Sequence, residues 1–314
     1  HYSQSSLHMA ALEGKQDAFS QTRIGWLDLV EDMGLQADFV TPEQIGGGAL
    51  AKYSTLVLPY SCALSDKEAG AIRAFVKNGG LLLTDAFAGI YDEHGKPYRE
   101  GILNDVLGVA LAYDAKTRKN AGGDLEFSAD YKSCQVKGQS LYASIADRGL
   151  RVEGGKALGT LKASPAFVVA SFGNGYAVYL NMFLSSYSNM RKRGGEETLR
   201  NIMANLFSLG AAQAPAKVIG EKGPLTVCQV VQYNAGPIQY FGVLRDYRNP
   251  ELKSARASVV FPSARHTYDA LDGKYFGQVD RAETTLSPGE ARIFSRLAYQ
   301  VRSVAAALPG RVKP

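Results

Sequence analysis

Few residues in this chain could do covalent or metal chemistry. Its 314 residues hold three cysteines (Cys62, Cys134, Cys228) and four histidines (His1, His8, His94, His266). The cysteines are odd in number, far apart and without CxxC spacing, which argues against a disulfide framework and a structural zinc site. A cysteine or serine nucleophile is expected on a tight strand-to-helix elbow with a histidine base in reach. Residues 85–95 (DAFAGIYDEHG) follow an apolar strand-like run but contain neither Cys nor Ser, and no helix pattern comes directly after the strand. Cys62 follows a different strand and reads as a small buried hydrophobe, as do Cys134 and Cys228. Acid, base and ligand types fall together once, at Asp92-Glu93-His94. Adjacent side chains point in different directions and Gly95-Lys96-Pro97 follows, so the triplet reads as a surface turn. A ligand rim and a metal contact are its alternatives. Asp85 ends a buried strand and is the better functional candidate, with capping of nearby backbone N–H groups as its structural alternative.

Other chemistries leave less trace. Glycoside hydrolysis needs two carboxylates about 5–9.5 Å apart, and spacing nominates no such pair. Gly46-Gly47-Gly48 and Gly194-Gly195 lack both phosphate-binding frames, GxGxxG and GxxxxGK[ST]. Tyrosine is abundant, at 17, so exposed rings could stack on sugars. The net charge of +5 comes from scattered residues, and Arg191-Lys192-Arg193, the one basic cluster, reads as a solvated loop. A nucleic-acid binder would show a basic stripe interleaved with aromatics. No apolar run reaches the roughly 18 residues of a membrane span. No cofactor is implied. The chain opens at His1-Tyr2-Ser3 with neither Met nor a secretory apolar region, so it reads as part of something longer and its location stays open.

The elements that must position these residues alternate between strand and helix over the first 110 residues. Residues 15–33 place Phe19, Ile24, Leu27, Val30 and Met33 on one helical face, with Gly34 as the stop. A β-type run at 36–40 follows. Thr41-Pro42-Glu43-Gln44 and Ser65-Asp66-Lys67-Glu68 are helix starts of the capping-box kind. The second opens a helix with Ala69, Ile72, Phe75 and Val76 inward. The apolar runs 55–60 and 81–84 read as strands covered on both faces. Strand, helix and strand at this spacing predict right-handed βαβ units and a parallel sheet. Residues 110–165 loosen into short polar runs, such as 124–128 and 150–153, read as a β-rich insertion. Gly173-Asn174-Gly175 predicts a hairpin between 166–172 and 176–183. A helix at 196–209 turns Leu199, Ile202, Met203, Leu206 and Leu209 inward. After the linker-like 211–217, strand runs at 225–233, 238–245, 256–261, 266–271, 275–280 and 291–297, with an Asp272-Gly273 turn, predict a small antiparallel sandwich. The expected domains are 1–215 and 216–302, with a frayed tail at 303–314.

Ligands of an open α/β sheet gather beyond the carboxyl ends of its strands. The rim is therefore 3–6, 60–64 and 85–93, and its candidate residues are Ser5, Tyr60, Ser61, Cys62, Asp85, Tyr91, Asp92, Glu93 and His94.

Several stretches resemble a known family. YSQSS at 2–6, RIGW at 23–26, DMGLQADFV at 32–40, LVLPYSCALS at 56–65, FVKNGGLLLTD at 75–85, YDEHG at 91–95 and LNDVLG at 103–108 resemble the segment after the catalytic barrel of glycoside hydrolase family 42 β-galactosidases. YDALDGKYFG at 268–277 and LSPGEAR at 286–292 look like the small C-terminal β domain of such enzymes. The resemblance implies a flavodoxin-like trimerisation domain related to class I glutamine amidotransferases, and a homo-oligomer, a trimer. It carries over no catalytic residue, because the family's glutamates lie in an N-terminal barrel. The amidotransferase elbow cysteine is missing at 85–89. The expectation is a non-catalytic assembly region that contributes to a neighbouring active-site rim. A carbohydrate-binding module and a stand-alone hydrolase or amidase using Cys62 or Asp85 are the rival readings.

Overall fold

The computed structural model describes residues 1–111, 120–246 and 252–304. Residues 112–119 of the expected insertion and the expected tail from 305 onward lie outside these. The chain divides into two compact units, His1–Gln213 and Ala214–Pro314. Among the described residues no helix is long and apolar enough to cross a membrane.

The first unit opens with helices α1 (Gln4–Leu12), α2 (Gln16–Asp32) and α3 (Pro42–Gly46). Strand β1 (Thr55–Leu58), helix α4 (Asp66–Lys77), strand β2 (Leu81–Thr84), helix α5 (Asn104–Leu107) and the short strand β3 (Val109–Ala110) follow. Strands β4 (Ala121–Phe127), β5 (Ser140–Ile145), β6 (Arg151–Val152), β7 (Lys156–Leu161), β8 (Ser164–Phe172) and β9 (Gly175–Leu180) lead to helices α6 (Tyr187–Arg193) and α7 (Glu197–Phe207). Both capping boxes form as read, with Thr41 and Ser65 accepting from the Gln44 and Glu68 N–H groups.

One sheet runs β1-β2-β9-β8-β7-β4-β5. It is parallel across β1, β2 and β9 and antiparallel beyond. The predicted parallel sheet is thus confined to three strands. The cause is the tight turn at Gly173 (φ +62°) and Asn174, which sends β9 back along β8. Strands β4, β5 and β7 of the expected insertion extend this same sheet, so the edge of β8 is not left open. Strand β2 is buried on both faces: Leu82 joins the core under α1 and α4, while Leu81 and Leu83 join the core under α2 and α7. The 36–40 run, read as a strand, joins no ladder.

Helix α2 buries Phe19 and Val30 of the predicted face, but its inner face is rotated. Ile24 is exposed and Leu27 and Met33 are half-buried, whereas Trp26 and Leu29 are buried together with Asp28 and Asp32. The acids can be buried because Arg191 meets them at 2.9 and 3.0 Å, and Tyr187 donates to Asp32 at 3.0 Å. The expected solvated loop at 191–193 is therefore the end of helix α6, with Arg191 inside. Gly25 lets α2 approach this region, since a Cβ there would lie 1.9 Å from the Leu184 carbonyl oxygen.

The second unit contains β10 (Lys217–Gly220), β11 (Gly223–Pro224), β12 (Cys228–Ala235), β13 (Ile238–Arg245), β14 (Ala255–Asp269), β15 (Tyr275–Leu286) and β16 (Ala291–Leu297). The runs read as two strands at 256–261 and 266–271 are one long strand, β14. It pairs with β10 through 257–260 and with β16 through 266–269, changing partner at a bulge. All seven strands are consequently linked in one continuous antiparallel ladder, which changes partners along β14. Its core gathers Phe241, Phe261 and Phe294, with the fully buried Arg296 lying 4.1 Å from the Phe261 ring. The Arg296 guanidinium donates to the Ser263 and Val279 carbonyls flanking the bulge, and burial pulls its pKa down to about 10.

Candidate functional site

Strands β1 and β2 end side by side, Leu58 opposite Thr84, so their loops leave from one edge. The loops then bond to each other: Gly89 N–H donates to Ser61 O at 3.0 Å and Tyr91 N–H to Cys62 O at 2.9 Å. Here the structure brings together Tyr60, Ser61, Cys62, Asp85 and Tyr91. Ser5 lies half-buried in α1, and Asp92, Glu93 and His94 sit in the turn beyond.

Asp85 is fully buried, and both of its carboxyl oxygens accept from the Tyr60 N–H at 2.9 Å. The Trp26 indole N–H donates to it at 3.2 Å. Burial pushes its pKa up to about 8, against these donors, which favour the ionised form. The bond has a conformational role, because Tyr60 has φ +48°, a left-handed value costly for a side chain of this size. The Tyr60 ring stacks on Phe183 with centroids 4.8 Å apart and meets Phe19 edge-on at 5.7 Å.

Cys62 is buried, and desolvation drives its thiol up to about 12 despite a bond to Ser6, so it is no thiolate at neutral pH. Ser61 Oγ lies 2.9 Å from His1 Nδ1, and His1 Nε2 lies 3.2 Å from Glu68 Oε1. Serine, imidazole and carboxylate in a row is the order of a nucleophile relay. Ser61 is wholly buried, however, and donates back to Pro59 O, while Glu68 also caps α4. Burial would raise the Glu68 pKa, but His1 and the Ser65 N–H and hydroxyl outweigh it and hold it below the usual range. The row clasps the β1 loop to the start of α4. Its Glu68 was legible as a capping residue, but nothing local in the sequence connects it to His1.

Tyr91 donates to Glu13 at 3.0 Å, and Lys15 meets the other Glu13 oxygen at 2.7 Å. Asp92 Oδ1 accepts from the N–H groups of His94 and Lys96 at 2.9 and 2.8 Å, which forms the turn read from Gly95-Lys96-Pro97. Glu93 and His94 are exposed and only 3.9 Å apart at their nearest charged atoms. Among the described residues no three His, Cys, Asp or Glu side chains gather as a metal site. Over this edge lies an open cleft of about 920 Å³, walled by Tyr60, Cys62, Phe87, Tyr91 and Phe183, with Glu13 and Lys15 at one side. Its walls can hold an apolar surface. They offer no nucleophile paired with a free base.

The β-galactosidase LacZ of Heyndrickxia coagulans is 26% identical over 162 residues, which is 48% of this chain and 22% of that protein. The β-galactosidase BgaB of a Geobacillus strain is 27% identical over 165 residues, again 48% of this chain and 22% of the relative. The chain therefore spans about a fifth of the length of these relatives. Among solved structures, the β-galactosidase of Bacillus circulans sp. alkalophilus superposes with a TM-score of 0.65 over 88% of this chain and 37% of that one, at 17% identity, a likeness of fold. The sequence profile of the β-galactosidase trimerisation domain matches residues 8–205, well over half of the chain, and the chain belongs to that family, the trimerisation domains of glycoside hydrolase family 42.

Proposed function

We propose that this chain is the assembly region of a β-galactosidase-like glycoside hydrolase and holds no reaction centre of its own. The observation that carries this reading is the trimerisation-domain match over 8–205, to which the chemistry of the rim adds support. Asp85, Ser61, Cys62 and Tyr91 are each engaged in holding the loops of β1 and β2. In this reading residues 1–215 are a flavodoxin-like assembly domain whose ancestral amidotransferase chemistry is absent, and 216–302 are an appended β domain. Three copies associate in a ring. The cleft of about 920 Å³ faces the neighbouring subunit and forms part of its active-site rim. Sedimentation velocity over a dilution series tests the association. A trimer that dissociates reversibly on dilution is expected. A single monomer boundary at every concentration contradicts it.

A further inference from the structure

The outer face of the second unit carries a row of aromatic side chains. Strand pairing sets Tyr275 opposite Tyr268, Tyr268 opposite Ser295, Ser295 opposite Tyr240 and Tyr240 opposite Tyr233. Directly opposed residues of an antiparallel sheet share a face, so four tyrosines and a serine form one row across five strands, spaced about 4.8 Å per strand. Their sequence neighbours Phe241, Phe294 and Thr267 are buried in the core, which places the row on the opposite side. Tyr233 is 63% exposed and Tyr275 39%. The rows on either side, 231-242-293 and 235-238-297-266-278, contain no Asp, Glu, Lys or Arg.

We propose that this tyrosine row binds a neutral carbohydrate, a proposal that rests on the reading of the chain as part of a β-galactosidase-like enzyme. Two tyrosines are held in place: Tyr268 Oη accepts from Val301 N–H at 2.8 Å, and Tyr275 Oη lies 2.6 Å from His266 Nδ1. Their rings stack 4.7 Å apart at 25°, a wall ordered before any ligand arrives. The hydroxyls of Tyr233, Tyr240 and Ser295 have no partner among the described residues and are available to a ligand. Between Tyr240 and Tyr268 the floor is the small side chain of Ser295, and the two tyrosine-bearing strands stand two strand spacings (about 9.6 Å) apart. An aromatic face offers the C–H side of a sugar ring a surface to stack on, and the phenol and serine hydroxyls can exchange hydrogen bonds with sugar hydroxyls. A charged peptide or a nucleic acid would find no counter-charge here.

Titration calorimetry of the full chain with β-1,4-galactotetraose tests this. Wild type is expected to saturate at millimolar saccharide. The Tyr233→Ala/Tyr240→Ala double variant should bind about tenfold or more weakly, as the loss of two stacking rings requires. Leu12→Ala, which removes an exposed apolar side chain of the first unit, should bind as wild type. Circular dichroism confirms that each variant is folded. Three results overturn the proposal: a flat titration at millimolar saccharide, equal binding by the double variant, or loss of association by the double variant, which would make the row a subunit contact. A flat titration from a chain that still forms trimers removes the carbohydrate face alone. A monomer that still binds the saccharide removes the assembly reading alone.

Discussion

The rim of the α/β unit and the outer face of the β unit handle polar side chains in opposite ways. At the rim, acids, a thiol and a serine that look chemically capable are bound to backbone or to one another and buried. On the β face, Tyr233, Tyr240 and Ser295 keep hydroxyls with no partner among the described residues, and Tyr233 is 63% exposed. A titratable residue inside the fold must be satisfied or it destabilises the chain. Once satisfied it has little left to offer a ligand. Binding capacity therefore resides in residues that the fold can spare.

That contrast predicts a steep order of mutational effects. The largest belongs to Arg191→Ala, which strands Asp28 and Asp32 without their cation and should cost about 3–5 kcal/mol in urea unfolding of the first unit. Asp85→Ala leaves the Tyr60 and Trp26 N–H groups unanswered and should cost about 1–3 kcal/mol.

The same aspartate makes stability depend on pH. The folded protein holds this proton up to about 8, whereas an unfolded aspartate releases it near about 3.9. Between those values the folded state carries the extra proton, so its stability should fall as pH rises through that window. Thermal melts from pH 4 to 9 should show this decline, and Asp85→Asn should flatten it. A decline unchanged in Asp85→Asn would assign it to another group. At the small end, Tyr233→Ala and His94→Ala should shift stability by no more than about 0.5 kcal/mol, because both side chains are exposed. A loss comparable to that of Asp85→Ala from either would erase the contrast.

Legibility in the sequence follows the range of the interaction. The capping boxes at Thr41 and Ser65 and the hairpin at Gly173-Asn174 are decided within four residues and could be read directly. The inner face of α2 could not, because burial of Asp28 and Asp32 depends on an arginine far along the chain. Helix α1 is not legible in the sequence because QSSLHMAAL carries no strong apolar stripe. The length of β14 was hidden by its bulge, whose residues 262–264 look like a break between strands. At the rim, the end of β2 marked Asp85 as a residue to watch. Its attachment to Tyr60, the capping alternative, needed the neighbouring loop in place. The tyrosine row is the extreme case. Its members are scattered from 233 to 295, and only the register of five strands makes them neighbours.

The most direct test of the central claim is the mass of the full chain in solution, measured by light scattering at tens of micromolar. The account predicts three chains per particle for the wild type and for Asp85→Asn, since that carboxyl serves the loop and not the contact. A strictly monomeric wild type at that concentration would contradict it.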